Sequence, residues 1–240
     1  MPNLFKFKEF SVNQSAAAMK IGTDGVLLGA WVDISYQPNS ILDVGAGTGL
    51  IALMLAQRST AETIDAVEVE DQAYIQSVDN FENSPWSDRL FCYHADFVEF
   101  CEEMQGETYD LIISNPPYFE EPNIDSKLSE GRKKARFTLS LSLETLINGA
   151  ATLLSQEGRL TIVIPYTEEE HLVELAKKME LFPMDILRVK GRENTPIKRS
   201  LITFGFKPTL VNPEELIIEI SRHNYTKDYI NLTKDFYLKM

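Results

Sequence analysis

Between residues 40 and 206 the chain alternates short β-branched and aliphatic runs with segments of helical spacing, and few folds accommodate that order. Strands are expected at "SILDVG" (40–45), "TIDAVEV" (63–69), "RLFCYHA" (89–95), "YDLIIS" (109–114), "GRLTIVIP" (158–165), "MDILRVK" (184–190) and "SLITFGF" (200–206). Helices are expected at 49–58, 71–83, 97–104, 142–155 and 168–179. Such alternation calls for a parallel sheet covered on both faces, because parallel neighbours need a crossover long enough to hold a helix. The last two strands are joined by "GRENTPIKR", too short for that crossover, so they are expected to pair antiparallel. The reading is an α/β, Rossmann-like single domain. Its seven-stranded sheet is mostly parallel, with an antiparallel last strand and helices on both faces. Residues 1–39 form an extension ahead of a 40–240 core, and 119–137 form the longest polar break.

With 44% hydrophobic residues the chain can bury a sizeable core. No apolar run approaches bilayer length, and "MPNLFKFKEF" does not read as a signal peptide. Cys92 and Cys101 are expected to be small buried hydrophobes in a reducing cytoplasm, and neither has a metal-spaced partner, so no metal is expected. A monomer is the default. The formal net charge of −13 opposes a phosphate-rich partner, yet the charge is uneven. Residues 127–136 carry Lys127, Arg132, Lys133, Lys134 and Arg136 against one acid. Residues 188–199 carry Arg188, Lys190, Arg192, Lys198 and Arg199 against one acid. Two basic windows on an acidic body suit a confined polyanion site; two solvated loops would read the same way.

"ILDVGAGTGL" sets Asp43, Gly45, Gly47 and Gly49 between the first strand and a helix start. Glycines allow a sharp turn and close ligand approach, and the helix start offers free N–H groups. A dinucleotide fingerprint would need glycine at position 50, where Leu50 stands, so a nucleoside without pyrophosphate is favoured. Asp43 could face the ammonium of an amino-acid moiety. Glu68 lies nineteen residues past Gly49, the offset of a ribose-binding carboxylate, with Glu70 the competitor. Asp96 could accept from an adenine amino group while Phe97 packs the ring; Asp96 could also cap the helix that follows. Asp110 reads as structural and His94 as a strand-end or core residue.

The fourth expected strand ends in Asn115, Pro116, Pro117 and Tyr118. Ligands of open α/β sheets bind beyond the carboxyl ends of the strands. The prolines stiffen the turn and remove N–H donors. The Asn115 amide oxygen and the Pro116 carbonyl then form two acceptors on a rigid turn, matching the two hydrogens of a planar amino group, and Tyr118 offers a stacking face. Methyl transfer from S-adenosylmethionine to such a nitrogen fits, because it needs orientation more than a strong base.

"DVGAGTG", Glu68, "ADF" and "NPPY" resemble the class I S-adenosylmethionine-dependent methyltransferases that modify amino groups. "MKIGTDGVLLGAW" (19–31), "NSPW" (83–86) and the ending "DFYLKM" resemble more narrowly the bacterial tRNA1(Val) adenine-N6 methyltransferase family, which acts on the adenosine 3′ of the anticodon. The resemblance implies that Asp43, Gly45 and Gly47 hold the methionine part of the cofactor, Glu68 its ribose, and Asp96 with Phe97 its adenine. It implies that Asn115, Pro116 and Tyr118 present the target adenine. Lys20, Thr23 and Asp24 would close over the site, although Thr23 or Asp24 could equally cap the following helix. Phe137 departs from the His expected after "KKAR" and could stack on a nucleotide. The basic windows would grip a tRNA backbone. Rival readings are a protein glutamine methyltransferase, which needs no basic windows; an RNA-binding module that has lost the cofactor; and a dinucleotide oxidoreductase, weakened by Leu50.

Overall fold

Hydrophobic runs with period-two alternation make strands whose two faces feed two separate cores. The computed structural model describes residues 4–15, 20–117 and 141–239. Ile41, Leu111 and Ile113 point into one core, with Leu27, Met54 and Phe236, while Leu42 and Ile112 point into the other, with Phe100, Leu146 and Leu172. All of these side chains are buried.

The extension begins with a hairpin, β1 (Leu4–Lys6) and β2 (Ser11–Asn13), followed by α1 (Thr23–Trp31). The core then runs β3 (Ser40–Val44), α2 (Leu50–Arg58), β4 (Thr63–Glu68), α3 (Asp71–Glu82), β5 (Leu90–His94), α4 (Phe97–Glu103) and β6 (Tyr109–Ser114). After the polar break come α5 (Leu143–Leu153), β7 (Leu154–Pro165), a short 3₁₀ turn (Tyr166–Glu168), α6 (Glu169–Lys178), β8 (Phe182–Lys190) and β9 (Ile197–Gly205). The C-terminal part holds β10 (Glu214–Ile217), a small ribbon of β11 (Glu219–Ser221) and β12 (Asn224–Tyr225), and α7 (Lys227–Thr233).

The main sheet runs β10-β8-β9-β7-β6-β3-β4-β5. Its neighbours are parallel except that β9 runs antiparallel to both β7 and β8. The expected seven strands are therefore eight. The addition, β10, is a four-residue edge strand in which only Leu216 is buried, so it lacks the apolar run that marks the others. Strand order reverses at β3, which has β4 on one side and β6 on the other, and opens a crevice at their carboxyl ends.

The extension is part of the fold. Arg58 donates from two guanidinium nitrogens to the carbonyls of Gly29 (2.6 Å) and Val32 (3.0 Å), fixing α1 on α2. The contact is close at Gly29, where a Cβ would stand 2.8 Å from Met54 Sδ. Phe7 stacks on Phe10 at 4.7 Å and packs on Tyr237, so the C-terminal end of the chain covers the N-terminal hairpin. Asp110 is structural, as expected: its carboxylate accepts from the Asn39 and Ser40 amides and from the Ser155 hydroxyl. No helix among the described residues is long and apolar enough to cross a membrane.

Candidate active site at the carboxyl edge of the sheet

Gly45, Gly47 and Gly49 all take left-handed backbone, with φ of 74°, 59° and 74°. A Cβ at Gly45 or Gly47 would meet nothing within 4 Å, so the backbone of these two faces open space, as a ligand cradle requires. Gly49 differs: a Cβ there would stand 2.4 Å from Phe81 Cε1, so this glycine serves packing. The Gly45 amide donates to the Val67 carbonyl (2.9 Å), tying the turn to the end of β4.

Glu68, the last residue of β4, is buried and touches the turn directly. Its Oε2 accepts from the Gly47 amide (2.8 Å) and its Oε1 from the Glu70 amide (2.9 Å). Each oxygen retains a further acceptor site. Glu70 is exposed and caps α3 by accepting from the Ala73 amide (2.7 Å). Strand alternation does not extend to it, because β4 ends at Glu68. Asp96 caps α4 by accepting from the Val98 amide (2.8 Å) and is exposed. Phe97 is buried in the second core, yet it lines a crevice with Gly45, Glu68, Ala95, Asp96 and Leu141.

Asp43 lies wholly buried beneath the turn. Its Oδ2 accepts from the Ala52 amide (3.2 Å), while its Oδ1 has no hydrogen-bond partner among the described residues. Burial pushes its pKa up to about 7; the Ala52 amide opposes the shift and the Glu68 charge adds to it. A folded-state value above the ordinary 3.8 means that its contribution to stability is complete below about pH 4 and is lost as pH rises to about 7. Asp43→Asn should therefore gain thermal stability relative to the parent chain as pH climbs through that window, by up to roughly 1.4 kcal/mol per pH unit. Melting curves at pH 4 to 8 without added ligand check this; parallel curves for the two proteins would refute it.

Two buried carboxylates under an open glycine backbone, one of them with an acceptor unpaired among the described residues, fit a ligand that brings a cationic ammonium and sugar hydroxyls. That is the donor set of S-adenosylmethionine.

Asn115 follows β6 directly and is half-buried; Pro116 is buried and Pro117 half-buried. Helix α1 approaches here: a Cβ at Gly25 would stand 3.8 Å from Asn115 Nδ2. Tyr118 lies outside the described residues, as do Lys127, Arg132, Lys133, Lys134, Arg136 and Phe137. Lys20 and Thr23 are exposed at the start of α1. Neither Thr23 nor Asp24 caps that helix: Gly22 is the cap residue, and no side-chain hydrogen bond is made there.

The second basic window lies at the same edge, where β8 ends and β9 begins, but much of its charge is already matched. Arg199 Nε donates to Asp24 (2.8 Å), Lys190 pairs with Glu215 (2.7 Å) and Arg192 with Glu219 (3.1 Å). Arg188 is held by Glu169 (2.6 Å). Lys198 is exposed and in no ion pair among the described residues. Arg199 thus anchors the extension through Asp24.

Asn80 was not singled out by sequence reasoning. Its amide donates to the carbonyls of Asn13 (2.9 Å) and Thr48 (2.8 Å) and accepts from the Asn13 amide (2.8 Å), bolting the extension to the glycine turn. The signal available was a polar amide on the buried side of an amphipathic helix.

The chain matches the family model described as Methyltransferase small domain over residues 15–182. It is 59% identical over 237 residues, 98% of each chain, to the tRNA1(Val) (adenine(37)-N6)-methyltransferase of Christiangramia forsetii. The chain belongs to the tRNA1(Val) (adenine(37)-N6)-methyltransferase family. Another member, from Flavobacterium psychrophilum, is 56% identical and covers 99% of this chain and all of its own. Among solved structures, a predicted O-methyltransferase from Agrobacterium tumefaciens shares the fold, with a TM-score of 0.67 at 19% identity, over 89% of this chain and 96% of that one. A methyltransferase complexed with S-adenosylhomocysteine shares it with a TM-score of 0.59 at 16% identity, over 85% of this chain and 56% of that one. In this chain Gly45 and Glu68 line one crevice, and Asn115 leaves the neighbouring strand β6 at the same edge of the sheet.

Proposed function

We propose that this protein transfers a methyl group from S-adenosylmethionine to the N6 amino nitrogen of adenosine 37 in tRNA1(Val). The observation that carries the reading is the position of Asn115. It leaves the carboxyl end of β6, beside β3, whose own end opens the glycine cradle. The names of relatives matching along nearly the whole chain support the substrate.

In this reading Gly45 and Gly47 let the methionine part approach the backbone, Asp43 offsets its ammonium from beneath, and Glu68 accepts from the ribose. Asp96 and Phe97 border the adenine. S-adenosylmethionine, when bound, supplies an electrophilic methyl on a sulfonium. The Asn115 amide oxygen and the Pro116 carbonyl accept both hydrogens of the target amino group, which turns its lone pair toward the methyl. Tyr118 stacks on the base. None of these three residues is a strong base, so the rate rests on orientation, worth several powers of ten. The Asp24–Arg199 pair and the Asn80 bridge hold the extension, with Lys20 and Thr23, at the rim. A flipped loop base costs less to extrude than a duplex base, which suits an anticodon-loop target.

RNA contact falls mainly to Lys127, Arg132, Lys133, Lys134 and Arg136, together with Lys198. Lys190, Arg192 and Arg199 have carboxylate partners that a phosphate would have to displace. Neutralising Lys133, Lys134 and Arg136 together should weaken tRNA binding and lower the slope of log affinity against log salt by about 2. Filter binding from 50 to 200 mM salt measures it, and an unchanged slope would remove the assignment. The protein acts in the cytoplasm as a monomer. The Cys92 and Cys101 thiols are free, with pKa values pushed up by burial to about 12 and about 11, and so are inert in a reducing compartment.

The test is transfer of labelled methyl to unmodified tRNA, ribosomal RNA, DNA and release factor. Label recovered as N6-methyladenosine at position 37 is expected. Label in release factor or in guanine would keep the cofactor half of the reading and overturn the substrate half.

A further inference from the structure

We infer that Tyr166, backed by the Arg188 guanidinium, is a stacking platform for an RNA base that flanks the methylated adenine; the inference rests on the tRNA reading above. Strand β7 is fully buried from Leu160 to Ile164, then surfaces at Pro165, and Tyr166 is 37% exposed. Register places it. Ser114, the last residue of β6, pairs in parallel with Ile162 of β7, so both strands run out at the same edge and β7 ends three residues later at Pro165. Tyr166 therefore stands at the carboxyl edge of the sheet, at the end of the strand next to the one that leads into Asn115.

The neighbouring charge is arranged for stacking and not for phosphate. Arg188 Cζ lies 5.4 Å from the Tyr166 ring centroid. The same guanidinium donates from Nε (3.2 Å) and a terminal nitrogen (2.6 Å) to the buried Glu169 carboxylate, which also accepts from the buried Ser200 hydroxyl. This fork fixes the guanidinium plane and neutralises its charge locally. What remains is a rigid, nearly neutral π surface, a partner for a nucleobase face. Lys198, exposed on the following strand, is free of carboxylate partners among the described residues and is available to the adjoining phosphate.

The experiment uses the full chain and tRNA transcripts carrying 2-aminopurine on either side of the target base. Wild type and Tyr166→Phe should quench the probe at one flanking position and share one KM. Tyr166→Ala and Tyr166→Leu should lose the quenching and raise KM for tRNA on the order of ten-fold, because stacking on one ring is typically worth that much. Their kcat at saturation, S-adenosylmethionine affinity by calorimetry and salt slope should stay at wild-type values, which a merely structural role would not predict. Unchanged quenching and KM in Tyr166→Ala, with wild type active on tRNA, would overturn the platform alone. A wild type that methylates no tRNA would overturn the functional reading, and the platform with it.

Discussion

Replacing Asn115 by Ala should lower kcat for tRNA methylation by at least 10²-fold, while the tRNA dissociation constant changes little. Asn115 stands at the end of a strand buried on both faces and is followed by two prolines, so its backbone has almost no freedom. A side chain held so rigidly contributes through orientation, and a misplaced reactive group typically costs about 10²-fold. Removing the amide leaves one acceptor, the Pro116 carbonyl, for two amino hydrogens, so the nitrogen lone pair is no longer aimed. Single-turnover methyl transfer at saturating tRNA isolates this step. A variant with wild-type kcat and weakened tRNA affinity would show instead that Asn115 acts in binding alone.

The second large effect is on stability. Gly49→Ala should destabilise the chain by roughly 3 kcal/mol, the sum of about 1–2 kcal/mol for a left-handed non-glycine residue and a similar cost for overpacking. At this size that lowers Tm by on the order of 10 °C. The added Cβ would meet the Phe81 ring at 2.4 Å, in a core that cannot yield without moving α3. Gly47→Ala is the internal control. Its φ of 59° carries the same left-handed penalty, but its Cβ enters open space, so it should lose only about 1–2 kcal/mol of stability while losing cofactor affinity. Phe81→Leu should couple favourably with Gly49→Ala and be additive with Gly47→Ala. Equal Tm losses for the two glycine variants would show that the Phe81 contact is not the cause.

The contrast between those two glycines shows how far the sequence reads. "DVGAGTG" announces a sharp glycine turn, and the turn is present. That only the first two glycines face open space depends on Phe81, which is brought in by α3 and is not visible in the local pattern. Glu68 and Glu70 make the same point. Their spacing left them interchangeable until the end of β4 gave one to the turn and the other to a helix cap. The second basic window reads as five cations on a line, yet three of the four described ion pairs it makes are with acids outside the segment that joins its strands to the core helices: Glu215, Glu219 and, 175 residues away, Asp24.

By itself the sequence determined the order of strands and helices between 40 and 206, the antiparallel pairing of β8 with β9, and the turns that follow β3, β4 and β6. Each follows from short-range physics: side-chain periodicity, glycine and proline backbone limits, and the offset between consecutive strand ends. The tertiary structure decided the eighth strand, the burial of Asp43 with one oxygen unpaired among the described residues, the Asn80 bridge and the charge matching of Lys190, Arg192 and Arg199. Those depend on desolvation and on partners distant in the chain, and neither quantity is carried by a residue's immediate neighbours.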